Sequence, residues 1–385
     1  MKTTLRSRYS AISLGGALAL ALGLSAIPFA PVGAQTTVPA TAKATGGKAW
    51  VVPRTADGKP DFQGNWTNAT QTPFERMGNQ GPTLTDEQAA ALEKRAKDVQ
   101  EFRDRPTDPS ETATKSNGTY ELAAVPGEPT FVERIAQAAG GAVGGYNGFW
   151  LDPGNRVVRI DGIARSSIVT DPPNGRLPAL TDAGKQLMAQ RSGAGRRGGA
   201  LEGPEAASLS DRCISSFGSN AGPPMLPNYF YNNNYTIVQT KDHVLIFTEM
   251  VHDTRIIRLG ATEHAPVRRW YGDSIGHWEG DTLVVETMNL YPVQLAQSSM
   301  TAYRGSSDKL KVTERFTRTG PEVLNYKFTV EDPVSLTATY SGELPFNRIN
   351  ENIYEYACHE GNYALPAMLG GARADERAKA EQKSE

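Results

Sequence analysis

From residue 235 onward the chain alternates apolar and polar positions. Successive side chains of a strand point to opposite faces, so each alternating run predicts a strand with one apolar and one polar face. The connections between the runs are short, which predicts an antiparallel meander closed as a barrel or folded as a sandwich. The fold class is therefore mainly β, with a few peripheral helices. The predicted strands cover residues 235–239, 243–251, 255–259, 267–271, 282–287, 309–317, 323–330 and 336–344.

Helical patterns are confined to insertions in this β-rich chain. Thr85 and Gln88 have the spacing of a capping box and open a predicted helix over about 85–105. A second helical insertion is predicted over 180–191. The Gly- and Arg-rich residues 192–207 predict a flexible loop, and the charged, Ala-rich residues 370–385 predict a tail. We expect one domain over residues 50–369.

The N-terminus has the three-part pattern of a secretory signal peptide. A short basic head precedes an apolar run over residues 11–29, and small residues follow up to Ala34. We expect cleavage after Ala34, a disordered leader over residues 35–49, and a periplasmic or secreted protein. No integral membrane segment is expected after signal removal, because no later stretch approaches the length of a spanning helix.

Charge excludes one class of partner. The chain has 40 basic and 42 acidic residues, and removal of the signal peptide takes away basic residues only. The mature chain is therefore mildly acidic, and it has no block of Lys and Arg. Nucleic acid is not an expected partner, because its binding needs a concentrated basic surface. The expected partner is a small-molecule ligand or substrate, and the oligomeric state is left open.

The two cysteines, Cys213 and Cys358, predict a single disulfide. Exported proteins fold in oxidising compartments, where paired cysteines form stable bridges. Closure of this long loop would stabilise the fold by roughly 4–5 kcal/mol in the chain-entropy model. The bridge would also hold His359 and Glu360 against the segment around Cys213.

Three polar runs interrupt the apolar strands, and each places a histidine beside a carboxylate. The pairs are His252 with Asp253, His277 with Glu279, and His359 with Glu360. An imidazole beside a carboxylate is typical of a general acid or base. Each pair could also be no more than a turn, so the prediction rests on all three together. The candidate catalytic residues are His252, Asp253, His277, Glu279, His359 and Glu360, with His277 as the central acid or base.

Residues with long polar or aromatic side chains near these runs are candidates for substrate binding. They are Arg255, Arg304, Tyr231, Tyr356 and Trp270. The arginines could stabilise negative charge that develops during a reaction.

Metal chemistry is the alternative to a metal-free acid–base site. Three histidines with an open fourth position would suit a divalent metal such as catalytic zinc, and His252, His277 and His359 would be its ligands. The chain has no HExxH or His-x-His spacing. We therefore expect no cofactor, with a divalent metal as the alternative.

Two resemblances bear on these expectations. Over about residues 50–373 the chain resembles a family of exported bacterial proteins without an established activity, which implies export and no particular reaction. The short run GNWT resembles the G-x-W start of lipocalin-like barrels, although the helix and long insertions after it depart from them. The first resemblance rests on the runs EMVHDTRII, GDSIGHWEGDTLVVETMN, ERFTR, FTVEDP and YEYACHEGNY.

Two function classes follow from the sequence. The first is an exported hydrolase or lyase that uses a His/carboxylate site on a small molecule such as a saccharide or aromatic compound. The second is a non-catalytic, lipocalin-like barrel that binds a small ligand in an apolar cavity. Convergence of the three histidines in one pocket would favour the enzyme. The aromatic residues expected to line the cavity are Trp150, Tyr229, Tyr231, Trp270 and Trp278.

Overall fold

Nine strands close into a barrel in the computed structural model of the protein. The structure describes residues 50–103, 128–140, 151–191, 201–216, 218, 220–291 and 306–382. The strands are β1 (Gly64–Thr67), β2 (Arg159–Ile160), β3 (Ile163–Ala164), β4 (Val169–Asp171), β5 (Asn234–Gln239), β6 (His243–Thr248), β7 (Asp253–Leu259), β8 (Asp273–Glu279), β9 (Thr282–Met288), β10 (Lys311–Gly320), β11 (Val323–Glu331) and β12 (Tyr340–Ile349).

The barrel follows chain order around most of its circumference. Its strands are arranged β1-β5-β6-β7-β8-β9-β10-β11-β12, and β12 pairs again with β1. Strand β4 adds to β12 outside this ring, and β2 and β3 form a separate small hairpin. The predicted mainly β class and the barrel alternative are confirmed. A lipocalin barrel has eight antiparallel strands, so the strand number here differs.

One pair of neighbouring strands departs from the predicted meander. Strands β7 and β8 run parallel, with Ile257 opposite Ser274 and Leu259 opposite Gly276. A parallel pair needs a crossover that returns the chain to the same end of the sheet, and residues 260–272 provide it. The strand predicted over residues 267–271 is therefore wrong, since that segment contributes only an isolated bridge from Arg269 to Leu290.

The described residues also contain four helices: α1 (Asp86–Arg103), α2 (Phe131–Gly140), α3 (Asp182–Arg191) and α4 (Ala364–Gln382). The predicted capping box opens α1, because the Thr85 Oγ1 accepts from the Gln88 amide at 3.2 Å and Gln88 Oε1 accepts from the Thr85 amide at 2.9 Å. The predicted tail is helical up to Gln382 as part of α4. None of the described helices is long and apolar enough to cross a membrane.

Aromatic side chains fill the barrel interior. Tyr326 packs between Phe316 and Phe346, with ring centroids 5.0 and 5.2 Å away, and Phe346 stacks on Tyr235 at 5.0 Å. Trp66, on β1, is fully buried beside them. An interior of this kind is a packed core, as in other small barrels. The barrel ends and its outer surface are therefore the places where a ligand can bind.

The two ends of the barrel differ. One end, which we call the hairpin end, carries the tight turns at 239–243, 279–282 and 320–323. The opposite end, which we call the loop end, carries the β6–β7 connection and the long segment 213–233. Buried asparagines hold that segment together, since Asn220 Nδ2 donates to Asn233 Oδ1 at 3.1 Å and Asn228 Nδ2 donates to Asn220 Oδ1 at 3.3 Å. Hydrogen bonds between buried amides favour one loop conformation.

The predicted disulfide between Cys213 and Cys358 is confirmed. It ties the segment after β12 to the loop end of the barrel. Asn362 supports the same junction, because its Nδ2 donates to the Asp211 carbonyl at 2.7 Å. The bridge therefore fixes the position of the adjoining His359 and Glu360, as expected.

Several predictions lie outside the described residues. They are the signal peptide 1–34, the leader 35–49 and residues 192–200 of the predicted flexible loop. The remaining residues of that loop, 201–207, contain a short 3₁₀ turn over Pro204–Ala206.

Candidate functional site

An open cleft of about 520 Å³ lies at the loop end, between the β6–β7 connection and the segment that follows β12. We call it the histidine cleft, because two of the candidate histidines line it. The disulfide anchors one of its walls and the barrel forms the other. Its lining residues are Phe247, His252, Ile353, Tyr354, Glu355, Ala357, His359 and Glu360.

His252 enters the cleft from a strained turn. Val251 and His252 both have left-handed backbone conformations, with φ of 62° and 45°. A β-branched residue rarely adopts this conformation, and such strain is concentrated at functional sites. The Nδ1 atom of His252 lies 3.0 Å from the Tyr356 carbonyl oxygen. A carbonyl only accepts, so Nδ1 carries the proton and Nε2 is the nitrogen left for a ligand.

His359 and Glu360 reach the cleft through the disulfide. Both follow Cys358 directly, and both are exposed. The structure therefore brings together four residues predicted from separate runs: His252, Tyr356, His359 and Glu360. No local spacing in the sequence relates the two runs, and the covalent bridge to Cys213 was the signal that placed the second run at this end.

Asp253, the first residue of β7, lies next to His252 and is half-buried. Burial raises the pKa of its carboxyl to about 6, although the Tyr271 hydroxyl and His252 oppose the shift. The Tyr271 hydroxyl donates to Asp253 Oδ2 and also lies 3.2 Å from Ser215 Oγ. A carboxyl that titrates near neutrality can hold or release a proton, as a general acid or base must.

A second buried carboxylate supports the cleft from behind. Glu249, which precedes the strained turn, accepts from Asn234 Nδ2 at 2.8 Å and from the Tyr354 amide at 3.3 Å. Burial raises the pKa of this carboxyl above its ordinary value. The bond to the Tyr354 amide fixes the backbone that carries the cleft wall.

His277 and Glu279 lie elsewhere, on the outer face of the barrel near the hairpin end. The parallel register places His277 beyond the partner of Leu259, whereas His252 precedes the first residue of β7. At roughly 3.3 Å per residue, the two histidines are separated by roughly 25 Å along the strands. His277 is exposed, and its Nε2 lies 3.2 Å from Glu279 Oε1.

The expected three-histidine convergence is therefore wrong. The structure joins His252 and His359 in one cleft and leaves His277 outside it. In the part of the chain that the structure describes, no three His, Cys, Asp or Glu side chains are grouped to hold a metal ion. The ligand set proposed for a metal is thus not assembled. The pair on the barrel surface is bound instead by Arg315, which lies 2.6 Å from Glu279 and, by its hydrogen bond, lowers the pKa of that carboxyl.

Arg255 was expected to bind substrate, but it belongs to the barrel core. Its guanidinium pairs with Glu314, with Nη1 3.0 Å from Oε1, and both side chains are fully buried. The Tyr326 hydroxyl donates to the same carboxylate at 2.7 Å. The prediction fails because the strand buries Arg255 and exposes the neighbouring Ile256, and the distant Glu314 supplies the buried counter-charge.

The remaining substrate-binding candidates do not line the cleft. Tyr231 lies in the asparagine-rich segment, where its amide donates to Asn228 Oδ1 at 3.1 Å. Trp270 packs on Tyr291 in the crossover, with ring centroids 4.9 Å apart. Arg304 lies outside the described residues.

The aromatic residues expected to line an apolar cavity are dispersed. Tyr229 packs edge-on against Phe131, and Trp278 packs on Phe62. Trp150 lies outside the described residues. These contacts provide structural roles for the rings in place of a shared cavity.

His264 is a histidine that the sequence did not single out. Its Nδ1 lies 3.1 Å from Asp273 Oδ2, and its Nε2 lies 3.1 Å from Glu286 Oε1. Arg258 also pairs with Asp273, at 2.7 Å. Although burial opposes it, the Ala265 amide and Arg258 hold the pKa of Asp273 below its ordinary value. The local sequence gives no sign of these contacts, because the partners of His264 lie 9 and 22 residues away.

Sequence reasoning also missed residues beside the cleft. Tyr271 and Ser215 come from the crossover and from the long loop-end segment, and neither neighbours a histidine in the chain. Glu355 and Tyr354 line the cleft itself. The signal available for these two was their position in the run YEYACHEGNY, four and five residues before His359.

No model of a known protein family matches the chain, and a search of curated proteins finds no significantly similar sequence.

Proposed function

We propose that the histidine cleft is the acid–base site of an exported enzyme, a hydrolase or lyase that acts on a small molecule. The observation that carries the proposal is the bond from His252 Nδ1 to the Tyr356 carbonyl. This bond orients the imidazole and leaves Nε2 as the basic nitrogen in an open cleft.

The neighbouring groups suit proton transfer. His252 accepts a proton at Nε2 from water or from a substrate carbon or hydroxyl. Asp253, whose pKa burial raises to about 6, lies next to it and stabilises the resulting imidazolium. His359 and Glu360 provide a second imidazole and carboxylate at the opposite wall, for protonation of a leaving group. The substrate class includes saccharides and aromatic compounds.

Export is part of the proposal. The signal-peptide pattern at the N-terminus supports it, and the Cys213–Cys358 disulfide fits an oxidising compartment. The strained turn that carries His252 supports a functional role for this end of the barrel, since backbone strain is retained where the surrounding structure enforces it.

The test compares two histidine variants on the same purified protein. Wild type, His252→Gln and His277→Gln are assayed on a panel of 4-nitrophenyl esters and glycosides and on substrates of β-elimination. Both histidines are exposed and both neighbour a carboxylate, so His277→Gln is a matched control. We expect His252→Gln to lower kcat/KM by about a hundredfold or more, and His277→Gln to leave it unchanged.

Equal turnover by wild type and His252→Gln would contradict the proposal. A complete lack of turnover, together with saturable ligand binding in the cleft, would favour the non-catalytic binding protein instead. The filled barrel interior is evidence against the lipocalin-like form of that alternative, in which the ligand occupies the barrel itself.

A further inference from the structure

The charges of the histidine cleft point to the chemical class of its ligand. Glu355 and Glu360 line it and are exposed, and neither forms an ion pair with a described residue. Among the described residues that line the cleft, none is Lys or Arg. Two carboxylates without a Lys or Arg partner among the described residues give the cleft a negative potential, which attracts a cation and repels an anion.

Aromatic rings in the cleft also favour a cationic ligand. The Tyr354 side chain is 68% exposed, and Phe247 lies on the barrel wall of the cleft. The face of an aromatic ring carries partial negative charge and binds organic ammonium groups. Rings and carboxylates that line one cleft form a combination typical of sites for organic cations, in which the rings contact the apolar part and the carboxylates the charge.

The wall that carries these groups is held in place. The Tyr354 amide donates to the buried Glu249 at 3.3 Å, and the disulfide fixes Cys358 two residues before Glu360. Preorganised groups bind with a smaller loss of conformational entropy than mobile ones. The backbone of this wall is therefore held in position before a ligand binds.

We infer that the histidine cleft binds an organic cation, a primary or substituted ammonium compound with an apolar or aromatic body. This inference rests on the proposed function and deepens it, since it names the substrate class of the same site. The ammonium group lies against Glu355 and Glu360, and the apolar body lies against Tyr354 and Phe247. His252 Nε2 then faces the portion of the ligand beyond the ammonium group.

The experiment uses three ligands that share one ring and differ in charge: benzylammonium, benzyl alcohol and benzoate. Binding to the purified mature protein is measured by isothermal titration calorimetry. We expect benzylammonium to bind at least about tenfold more tightly than benzyl alcohol, and benzoate to bind more weakly than either. Added salt weakens the binding of benzylammonium and leaves that of benzyl alcohol unchanged.

A charge-matched pair of variants locates the effect. Glu355→Gln/Glu360→Gln removes the two cleft carboxylates, and Glu263→Gln/Glu322→Gln removes two exposed carboxylates that do not line the cleft. We expect the first variant to lose about tenfold or more in affinity for benzylammonium and to bind benzyl alcohol as wild type does. The second variant is expected to behave as wild type with both ligands.

Three results would overturn the inference: similar affinities for benzylammonium and benzyl alcohol, an unchanged affinity in Glu355→Gln/Glu360→Gln, or no saturable binding of benzylammonium up to about 10 mM. These outcomes are separable from failure of the proposed function. Loss of turnover in His252→Gln together with charge-independent binding would retain the acid–base site and remove the cation preference.

Discussion

Two histidines of this barrel lie beside carboxyl groups, but they differ in whether a ring nitrogen remains accessible to a ligand. His264 is enclosed, because Asp273 engages one ring nitrogen and Glu286 the other. His252 is open, because the Tyr356 carbonyl engages Nδ1 and the histidine cleft contains the other nitrogen. The enclosed histidine joins the crossover to two strands and has no nitrogen available for a ligand. The open one is oriented by its bond at Nδ1, and its Nε2 is accessible from the cleft, as proton transfer with a substrate requires.

The same distinction separates the ionisable groups of the core from those of the loop end. Arg255 and Glu314 satisfy each other inside the barrel, where Tyr326 adds a third bond. Asp253 is half-buried and forms no ion pair with a described Lys or Arg, and burial raises its pKa to about 6. Mutual satisfaction indicates a structural role, whereas a shifted, partly satisfied group beside a cleft indicates a functional one.

The largest expected effect on stability concerns the buried ion pair of Arg255 and Glu314. Glu314→Gln leaves the Arg255 guanidinium buried without its counter-charge, and we expect the free energy of unfolding to fall by about 3–5 kcal/mol. Urea denaturation measures the change. The double variant Arg255→Met/Glu314→Leu removes both charges and is expected to regain most of the loss. A small effect in Glu314→Gln alone would mean that this pair is not desolvated.

The disulfide is expected to have the next largest effect. Cys213→Ser/Cys358→Ser should lower the free energy of unfolding by about 2–5 kcal/mol, because the unfolded chain gains conformational freedom. It should also weaken ligand binding in the cleft, since His359 and Glu360 lose their anchor. Thermal unfolding with and without reductant checks the first effect. An unfolding temperature unaffected by reductant would contradict it.

The raised pKa of Asp253 predicts a specific pH dependence. The folded state binds the proton more tightly than the unfolded state, so the stability linked to this group is complete below its ordinary pKa of 3.8 and is lost as the pH rises through about 6. The loss amounts to at most about 3 kcal/mol, at about 1.4 kcal/mol per unit.

Comparison with Asp253→Asn isolates this group, because contributions from other carboxyls cancel. Relative to that variant, wild type should lose stability between about pH 4 and pH 6 and remain level above this range. Parallel stability curves across the range would show that the Asp253 carboxyl is not shifted.

The smallest expected effects on stability distinguish the enclosed His264 from the exposed His252 and His277. His264→Gln removes one of the two contacts that link this side chain to Asp273 and Glu286, and we expect a loss of about 1–3 kcal/mol. His252→Gln and His277→Gln alter exposed side chains and should change stability by less than about 0.5 kcal/mol. Chemical denaturation of the three variants under one condition tests the contrast. Equal losses at His264 and His252 would remove the distinction between enclosed and open sites.

Alternation of apolar residues correctly predicted the strands that pair in sequence order. Strands β9, β10 and β11 appear close to their predicted bounds, because each has one buried and one outer face. The parallel β8 was not predicted, since a crossover is a tertiary feature without a local period. The strand predicted over residues 255–259 lies within β7, but the burial of Arg255 was not predicted. Two adjacent isoleucines fit either face, and the partner Glu314 is distant in the chain.

The candidate site was predicted in part. The runs around His252 and His359 meet in one cleft, and the disulfide explains why two distant segments do so. His277 was given the central role because Glu279 lies two residues away, and two such side chains face the same way in an extended chain. That spacing produces a pair on an outer face as readily as a site, and Arg315 completes it as a surface ion pair. Whether the face of a strand is exposed to solvent or borders a cleft depends on how the barrel closes.

The central claim is that His252 presents a bare Nε2 to the cleft, and long-range ¹⁵N–¹H correlation spectra of the histidine side chains test it most directly. The spectra are recorded at about pH 9, where an ordinary imidazole is neutral and its tautomer can be read. We predict that the His252 ring carries its proton on Nδ1, held by the Tyr356 carbonyl. A proton on Nε2, or rapid averaging between the two tautomers, would contradict the account.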